Sequence, residues 1–420
     1  MKENICKCCV KKFDDEEYIH TKDMDRCILH CSKDNWTIEQ MKYFWNCISE
    51  MIFKVSENYE KYKDTLDEVK EDYNYEMYKY QFSNIIFPKF GEYFISFNQI
   101  PFEGLNKNLD IIFNDCIFSD STSFDLIHNA KNVNFQNCKF EGQVVFTDVK
   151  FSGNFLFENC KLNEESLFKS VIFEGITSFI HSSSKSSFKL QHCRFNDSCL
   201  LNLTKFDTFL LDNTYFRKES NFLNMNVISI NRETARIIKD SFEHQNNIIE
   251  ANRFYALEMI EREKELKFYK EPFEWLVFKI HGLSSNHSQN WILALFWIIN
   301  ITFLANYFTY EFSCDNSVQK YLDRILFFSG SLTLIGYGIT KLKEKYINIS
   351  LVLFTLFSYF IYSSSYIDDG NLKEFSNMIN PFSIMTEASD LGFFTLLYKI
   401  TIAYLIYQLI ISIRQNTRRK

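Results

Sequence analysis

Apolar residues recur every 11 positions through the middle of the chain: Phe113, Phe124, Phe135, Phe146, Phe157, Phe168, Phe179, Leu190, Leu201, Leu211 and Phe222. One interval, between Leu201 and Leu211, is 10. A second series falls five residues later, at Phe118, Phe140, Phe151, Leu162, Phe173, Phe195, Phe206, Phe216 and Val227, with Asn129 and Ser184 interrupting it. Alternating steps of five and six fit no helical amphipathic stripe, so the pattern predicts a repeat architecture.

Two units of 11 make a 22-residue, four-sided coil. Stacking coils at that period, about 4.8 Å apart, predicts four internal columns. These are Phe113, Phe135, Phe157, Phe179, Leu201; Phe124, Phe146, Phe168, Leu190, Leu211; Phe118, Phe140, Leu162, Ser184, Phe206; and Asn129, Phe151, Phe173, Phe195, Phe216. The position two before each second-series residue also faces inward, where room is short, and it holds Cys116, Cys138, Val149, Cys160, Val171, Cys193, Thr204 and Thr214. Cys199 takes the equivalent place before Leu201. The column Cys116, Cys138, Cys160 admits two readings: a soft-metal or redox ladder, or cysteine as a small apolar side chain that fits.

Units such as Cys138-Lys139-Phe140 and Val149-Lys150-Phe151 resemble the pentapeptide-repeat family. The resemblance covers about 130 residues and implies a right-handed quadrilateral β-helix. The chain departs from the family by alternating five with six and by lacking a regular Asp or Asn before the central residue, which bears on the corners. One family role, mimicry of duplex DNA, requires a strongly acidic rod. Residues 102–227 carry 15 Asp+Glu against 12 Lys+Arg, a net of -3, too weak for that role.

The flanks read differently. From Thr37, a candidate N-cap, Met41, Phe44, Trp45, Ile48, Met51, Ile52 and Val55 give a helical stripe, and residues 37–80 read as helix. Residues 232–268 read as one long helix, with Ala235, Ile238, Phe242, Ile249, Phe254, Leu257, Ile260 and Leu266 as its stripe. After Pro272, apolar runs follow at Trp291–Phe308, Ile325–Ile339, Ile347–Tyr362 and Phe393–Ile413. The organisation is thus mixed: 1–35 a zinc-binding segment, 36–99 helical, 100–230 the β-helix, 231–290 a helical connector, 291–413 transmembrane helices and 414–420 a basic tail.

Composition narrows the chemistry. A net charge of -7 argues against nucleic acid as a partner, because phosphate binding needs a basic field. The start, MKENICKCC, has no apolar core of a secretory signal. The 12 cysteines are therefore expected as thiols or metal ligands in a reducing compartment. Cys6-Lys7-Cys8-Cys9 and Cys27-Ile28-Leu29-His30-Cys31 resemble the two knuckles of a zinc ribbon. Cys6, Cys9, Cys27 and Cys31, with His30 as substitute for Cys31, offer four N/S ligands to a structural zinc. Cys8 and His20 are spare donors.

The last apolar run is 21 residues and the first is 18, against the ~20 needed to span a bilayer; the middle two, at 15 and 16, need polar neighbours such as Ser329 and Ser350 to extend them. Four spans place Lys341, Lys343 and Lys345 on one side with Arg414, Arg418, Arg419 and Lys420, opposite the acidic loop 363–390. By the positive-inside rule both termini are then cytoplasmic, in a multi-pass protein of a bacterial inner membrane. A buried helical bundle is the competing reading. Lys399, inside the last run, is either a functional charge or a snorkelling one. Thr333-Leu-Ile-Gly336-Tyr337-Gly338 resembles a potassium-channel filter but has one residue too many between Thr and Gly, and a pore loop there would turn the later cations outward, so the segment reads as a glycine-bearing packed helix. Asp240–Met259 and Ser284–Trp291 are similar to the link between rod and membrane segment in a set of bacterial pentapeptide-repeat membrane proteins.

No paired carboxylates at fixed spacing, no nucleophile–base order and no glycine-rich phosphate loop stand out, so the chain is not expected to be an enzyme. The expected function is a membrane-anchored, cytoplasm-facing scaffold that binds a protein partner. The alternative is a channel or transport-linked protein regulated by its soluble repeat domain.

Overall fold

Short strands with alternate side chains buried build the repeat region. In Phe155–Glu158, Phe155 and Phe157 point inward while Leu156 and Glu158 face outward, as the two-residue period of a strand requires. The computed structural model describes residues 6–8, 25–33, 36–62, 79–88, 109–124, 130–311, 344–365, 371–382 and 392–417. The chain divides into two compact units, Met1–Gln245 and Asn246–Lys420.

The first unit is a parallel β-solenoid. One seven-stranded sheet runs along it, and Phe82, Phe113, Phe135 and Phe157 stand in register there. A four-stranded sheet carries Phe151, Phe173, Phe195 and Phe216 in the same way. The two remaining faces merge into one ten-stranded sheet, because the strands Ser183–Gln191 and Lys205–Asp212 turn the corner without a break. The expected columns are therefore present over the described residues; Asn129 lies outside them. Phe118 and Phe140 stack with centroids 4.6 Å apart and planes 4° apart, and Phe146 and Phe168 at 4.6 Å and 8°. That separation matches the strand spacing, so backbone ladder and ring stack share one repeat.

The two irregularities of the pattern have physical explanations. Register slips between Ser184 and Ser187, where three steps along one strand oppose two on the next, from Phe206 to Thr208. This β-bulge absorbs the single 10-residue interval. Where Ser184 breaks the apolar series, Phe188 fills the space, stacking on Phe206 at 4.6 Å.

Corners follow a rule that the hydrophobic pattern does not contain. Asp115, Asn137, Asp148, Asn159, Ser170, His181, His192, Leu203, Asn213 and Asn224 all have positive φ; each but the last precedes a small residue, and Asn224 precedes buried Met225. Asn and Asp tolerate the left-handed region best among residues with a Cβ. The corner aspartate and asparagine thus sit away from the central residue, which explains the departure from the family's usual unit.

Both ends of the solenoid are covered. The first coil is Lys79–Ser83 with Ile86–Phe87, inside the stretch 36–99 that the hydrophobic pattern assigns to helix. Over it lies α1 (Ile38–Tyr62), opened by a capping box in which Gln40 N–H donates to Thr37 Oγ1 and Thr37 N–H to Gln40 Oε1. Trp45 stacks on Phe87, and Phe44 meets it edge-on at 6.0 Å. At the other end α2 (Arg232–His244) buries Ala235, Ile238 and Phe242. Its polar side chains occupy the last coil's open backbone groups. Leu211 N–H donates to Thr234 Oγ1, while Ser241 Oγ and Gln245 Nε2 donate to Ser220 O. Paired edges of this kind prevent strand addition.

The expected single helix over 232–268 is interrupted. Asn246 is left-handed, at φ 58, and Asn247 caps a new helix, α3 (Ile248–Glu265), by accepting from Glu250 N–H. The second unit continues with α4 (Pro272–Ser285), α5 (Trp291–Glu311), α6 (Glu344–Ser365), α7 (Asn371–Ile379) and α8 (Phe393–Thr417). Among the described residues one segment, Phe393–Gln415, is long and apolar enough to cross a membrane; Trp291–Phe303 and Tyr346–Tyr359 are shorter apolar stretches. The run 325–339, the filter-like 333–338 and Lys341 and Lys343 lie outside the described residues. Buried Lys399 donates to the carbonyls of Asn377, Met378 and Asn380 at 2.8, 3.1 and 3.0 Å. It is a tethered cap on the C-terminal end of α7, where orphan carbonyls and the helix dipole favour a cation.

Leu203 is the corner residue least suited to its backbone, and its side chain is 40% exposed. Leu203→Asn is expected to stabilise the solenoid by roughly 1 kcal/mol, read as a raised midpoint of β-sheet circular dichroism on denaturation. An unchanged or lowered midpoint counts against corner strain.

Candidate metal centre

Cys27-Ile28-Leu29-His30-Cys31 folds as a single turn, with the N–H groups of His30 and Cys31 both reaching Cys27 O at 3.0 Å. A turn of this pitch puts residues three apart on one side, so Cys27 and His30 face the same way. The segment at Cys6 is tied alongside by Lys7 N–H to Asp25 O at 2.7 Å, reinforced by the ion pair of the same two residues.

Cys6 Sγ, Cys27 Sγ and His30 Nδ1 converge, all within 4.8 Å of one another and all buried. Nδ1 lies 3.4 Å from Cys6 Sγ and 3.0 Å from Cys27 Sγ. In a tetrahedral zinc site, bonds of about 2.3 Å to sulfur and about 2.0 Å to nitrogen place S and N about 3.5 Å apart. The donors are thus close to the required separations before any ion is considered.

The second nitrogen of the ring makes the case sharper. His30 Nε2 sits 3.1 Å from Ser83 O, a backbone carbonyl that can only accept. Nε2 therefore carries the proton, and Nδ1 presents its lone pair to the two sulfurs. Orienting a histidine through its far nitrogen is how metal sites fix the tautomer.

Cys6 and Cys27, expected from the sequence as ligands, lie in this cluster with His30, the expected substitute for Cys31. The structure prefers His30 to Cys31. Cys31 Sγ turns aside to Ile28 O at 3.6 Å and to the ammonium of Lys33 at 3.6 Å. Cys9 and His20 lie outside the described residues, and Cys8 is exposed. Lys33 was not foreseen. Its Nζ donates to the carbonyls of Ile28 and Cys31 and lies 4.7 Å over the Trp36 ring. Burial pulls this ammonium down to about 8, against the opposing influence of the Cys31 and Cys27 thiols.

The knuckle also belongs to the solenoid. His30 takes Ser83 O, and Leu29 O accepts from Ile86 N–H at 3.1 Å, so the turn occupies backbone groups at the edge of the first coil. Three soft or borderline donors with no carboxylate suit zinc better than a hard cation. The arrangement can hold a metal that fixes the N-terminal cap.

The cysteines inside the solenoid differ. Cys116, Cys138 and Cys160 donate their S–H to the carbonyls of Phe82, Phe113 and Phe135. Burial pushes the Cys160 and Cys199 thiols well up, and Cys193 to about 12. Cys138, between the other two in the ladder, is instead pulled down to about 5 by hydrogen bonds from Cys116 and Cys160, so the small-apolar reading of the ladder rests on the burial of the three sulfurs and their bonds to backbone carbonyls.

A second polar cluster lies in the other unit. His287 is buried, with Nε2 3.1 Å from a carboxylate oxygen of Glu263 and Nδ1 3.2 Å from His281 Nδ1. It sits within three consecutive left-handed residues, Asn286, His287 and Ser288. Gly282 leaves room for its ring, since a Cβ there meets Glu263 Oε2 at 3.1 Å and His287 Nε2 at 3.3 Å. Burial lowers both histidines; the neighbouring ring adds to this at His281, while Glu263 opposes it at His287.

Two outcomes follow. Elemental analysis of the purified chain should find stoichiometric zinc, mostly lost in Cys27→Ala and His30→Ala but kept in Cys31→Ala; equal loss in all three counts against the observed ligand choice. For the histidines, folded values below the unfolded 6.5 mean that the native state binds fewer protons. Their contribution to stability is complete above pH 6.5 and is lost as the pH falls through the folded values. The denaturation midpoint of the full chain should drop between pH 7.5 and 5.5, and less so in His281→Gln.

Residues 135–183 match the family model described as pentapeptide repeats, in nine copies. No curated protein and no solved structure matches the chain. A solenoid of this kind is in general a surface for interaction and not a catalyst. The match falls on the coils in which stacked phenylalanines, parallel ladders and left-handed corners are all in register, and the repeat domain of this chain belongs to the pentapeptide-repeat family.

Proposed function

We propose that the protein is a membrane-anchored scaffold, with the solenoid and the zinc-stabilised cap on the cytoplasmic side, the helices of the second unit in the bacterial inner membrane and a protein partner on a face of the solenoid. The observation that carries this is an outward column on the ten-stranded sheet. Lys139 stands directly opposite Lys161 in the ladder, and Lys205 follows one coil beyond Ser183. Like charges facing across a ladder cost stability. Glu141 offsets part of it through its ion pair with Lys139. A column of exposed cations on a rigid sheet suits an acidic protein surface.

Membrane attachment is supported by Phe393–Gln415, whose outer side chains Phe393, Phe394, Leu397, Ile400 and Ile410 are exposed in the isolated chain. The transport alternative has one support fewer, because Lys399 is engaged by the carbonyls that end α7.

In cells, crosslinking followed by purification of the full chain from carbonate-washed membranes should yield a protein joined to peptides of residues 130–230. The triple change Lys139→Glu, Lys161→Glu, Lys205→Glu should abolish that product and leave the circular dichroism unchanged. Release of the chain by carbonate counts against anchoring, and an undiminished product with the triple variant counts against the lysine face.

A further inference from the structure

The helix α4 has two unlike faces. Its inner face is fixed: Ser285 Oγ donates to Gln408 Oε1 at 3.0 Å, Ser284 Oγ lies 3.4 Å from Tyr404 OH, and Trp275 meets Phe268 edge-on. Its outer face carries Phe273, Leu276, Val277, Ile280 and Leu283, all exposed. Steps of three and one keep these five on one stripe along the helix. Phe273 is 83% exposed, and Tyr269 just before the helix 74%. An unbroken apolar stripe of that extent on a surface marks a binding face.

The surrounding charge identifies the occupant. The acidic side chains of this region are matched: Glu261 with Lys264, Glu263 with Lys279, and Glu265, Glu271 and Glu274 with Arg262. Lys267 and Lys270 are exposed and make no ion pair among the described residues. They flank the exposed rings in Lys267-Phe268-Tyr269-Lys270, which ends three residues before Phe273. Free cations beside aromatic rings, at the head of an apolar stripe, are the composition of a helix lying in a lipid interface. The stripe also runs towards the apolar helix α5, whose Trp297 Nε1–H donates to Leu283 O at 2.9 Å.

We propose that α4 is an in-plane membrane helix, its apolar stripe sunk among acyl chains of an anionic bilayer and Lys267 and Lys270 against lipid phosphates. This rests on the membrane-anchored reading and specifies which surface meets lipid outside the spanning helices. Embedding α4 fixes the depth of the connector relative to the bilayer surface.

Photocrosslinking of the full chain in vesicles of phosphatidylethanolamine and phosphatidylglycerol tests it. Benzoylphenylalanine is placed at Phe273 or Val277, at Ile400 in α8 as the spanning reference, and at Lys218 in the solenoid as the water reference. Lipid adducts are expected at 273, 277 and 400 and not at 218. The change Lys267→Glu, Lys270→Glu should lower the yield at 273 several-fold, since each basic residue near an anionic surface contributes about fivefold in affinity. Lipid adducts at 400 alone overturn the proposal and leave anchoring intact. None at 400, 273 or 277 overturns both. Adducts from 273 to protein make the stripe a protein-docking face and overturn the proposal, and an unchanged yield in the lysine variant removes the anionic requirement.

Discussion

The stacking of phenylalanine rings from one parallel coil to the next governs the first unit. Rings held face to face at about the strand spacing bury a large apolar area and add a specific attraction beyond it. That fit works only if every coil brings its rings back to the same place. Chain length per coil, corner position and strand register are all consequences. A coil one residue short must lose its residue at a bulge, which is what happens opposite Ser184 to Ser187. A missing ring must be replaced from the same coil, and Phe188 replaces it. A column of rings also has two bare ends, so α1 with the Cys–His knuckle and α2 are as much a part of the solution as the repeats.

How much of this could be read in advance depended on whether a feature leaves a mark on hydrophobicity. The columns do, and every described column residue stands where the 11-residue interval puts it. The corners do not. Asn137, Ser170, His181 and Leu203 share a backbone conformation and no side-chain property that a hydrophobic pattern registers. The first coil was invisible for another reason: 31 positions separate Phe82 from its partner Phe113, so the beat is interrupted before it is established. The break at Asn246 was hidden because apolar spacing on its two sides happens to continue a helical stripe across a residue whose φ is positive. Lys399 was legible as an anomaly only. What resolves it is the end of α7 from 19 to 22 residues earlier, a tertiary fact.

In the knuckle, spacing narrowed the choice and could not complete it. Cys27 with His30 and Cys27 with Cys31 are both acceptable ligand intervals. The deciding element is Ser83, whose carbonyl holds the far nitrogen of His30 from more than 50 residues away in the chain. Lys33 then has its own role, bonding the carbonyls that the turn leaves open and covering the ring of Trp36. A metal bound there would draw together Cys6, the turn and the coil edge, and its binding free energy would add to the stability of the cap.

The same hydrogen-bond accounting separates the two histidine clusters. His287 donates Nε2–H to Glu263 as His30 donates to Ser83, so each ring turns a bare Nδ1 inward. The difference is what that nitrogen meets. Nδ1 of His30 faces two sulfurs, which as thiolates bring charge to match a dication and leave a fourth position for one more ligand. Nδ1 of His287 faces one further imidazole nitrogen at 3.2 Å, with Glu263 committed to the outer side of the ring. Two neutral nitrogens are too few to enclose a metal, but one proton between them satisfies both. The first cluster therefore has the donors to hold a metal ion, and the second has room for one proton, which the surrounding burial makes easy to lose.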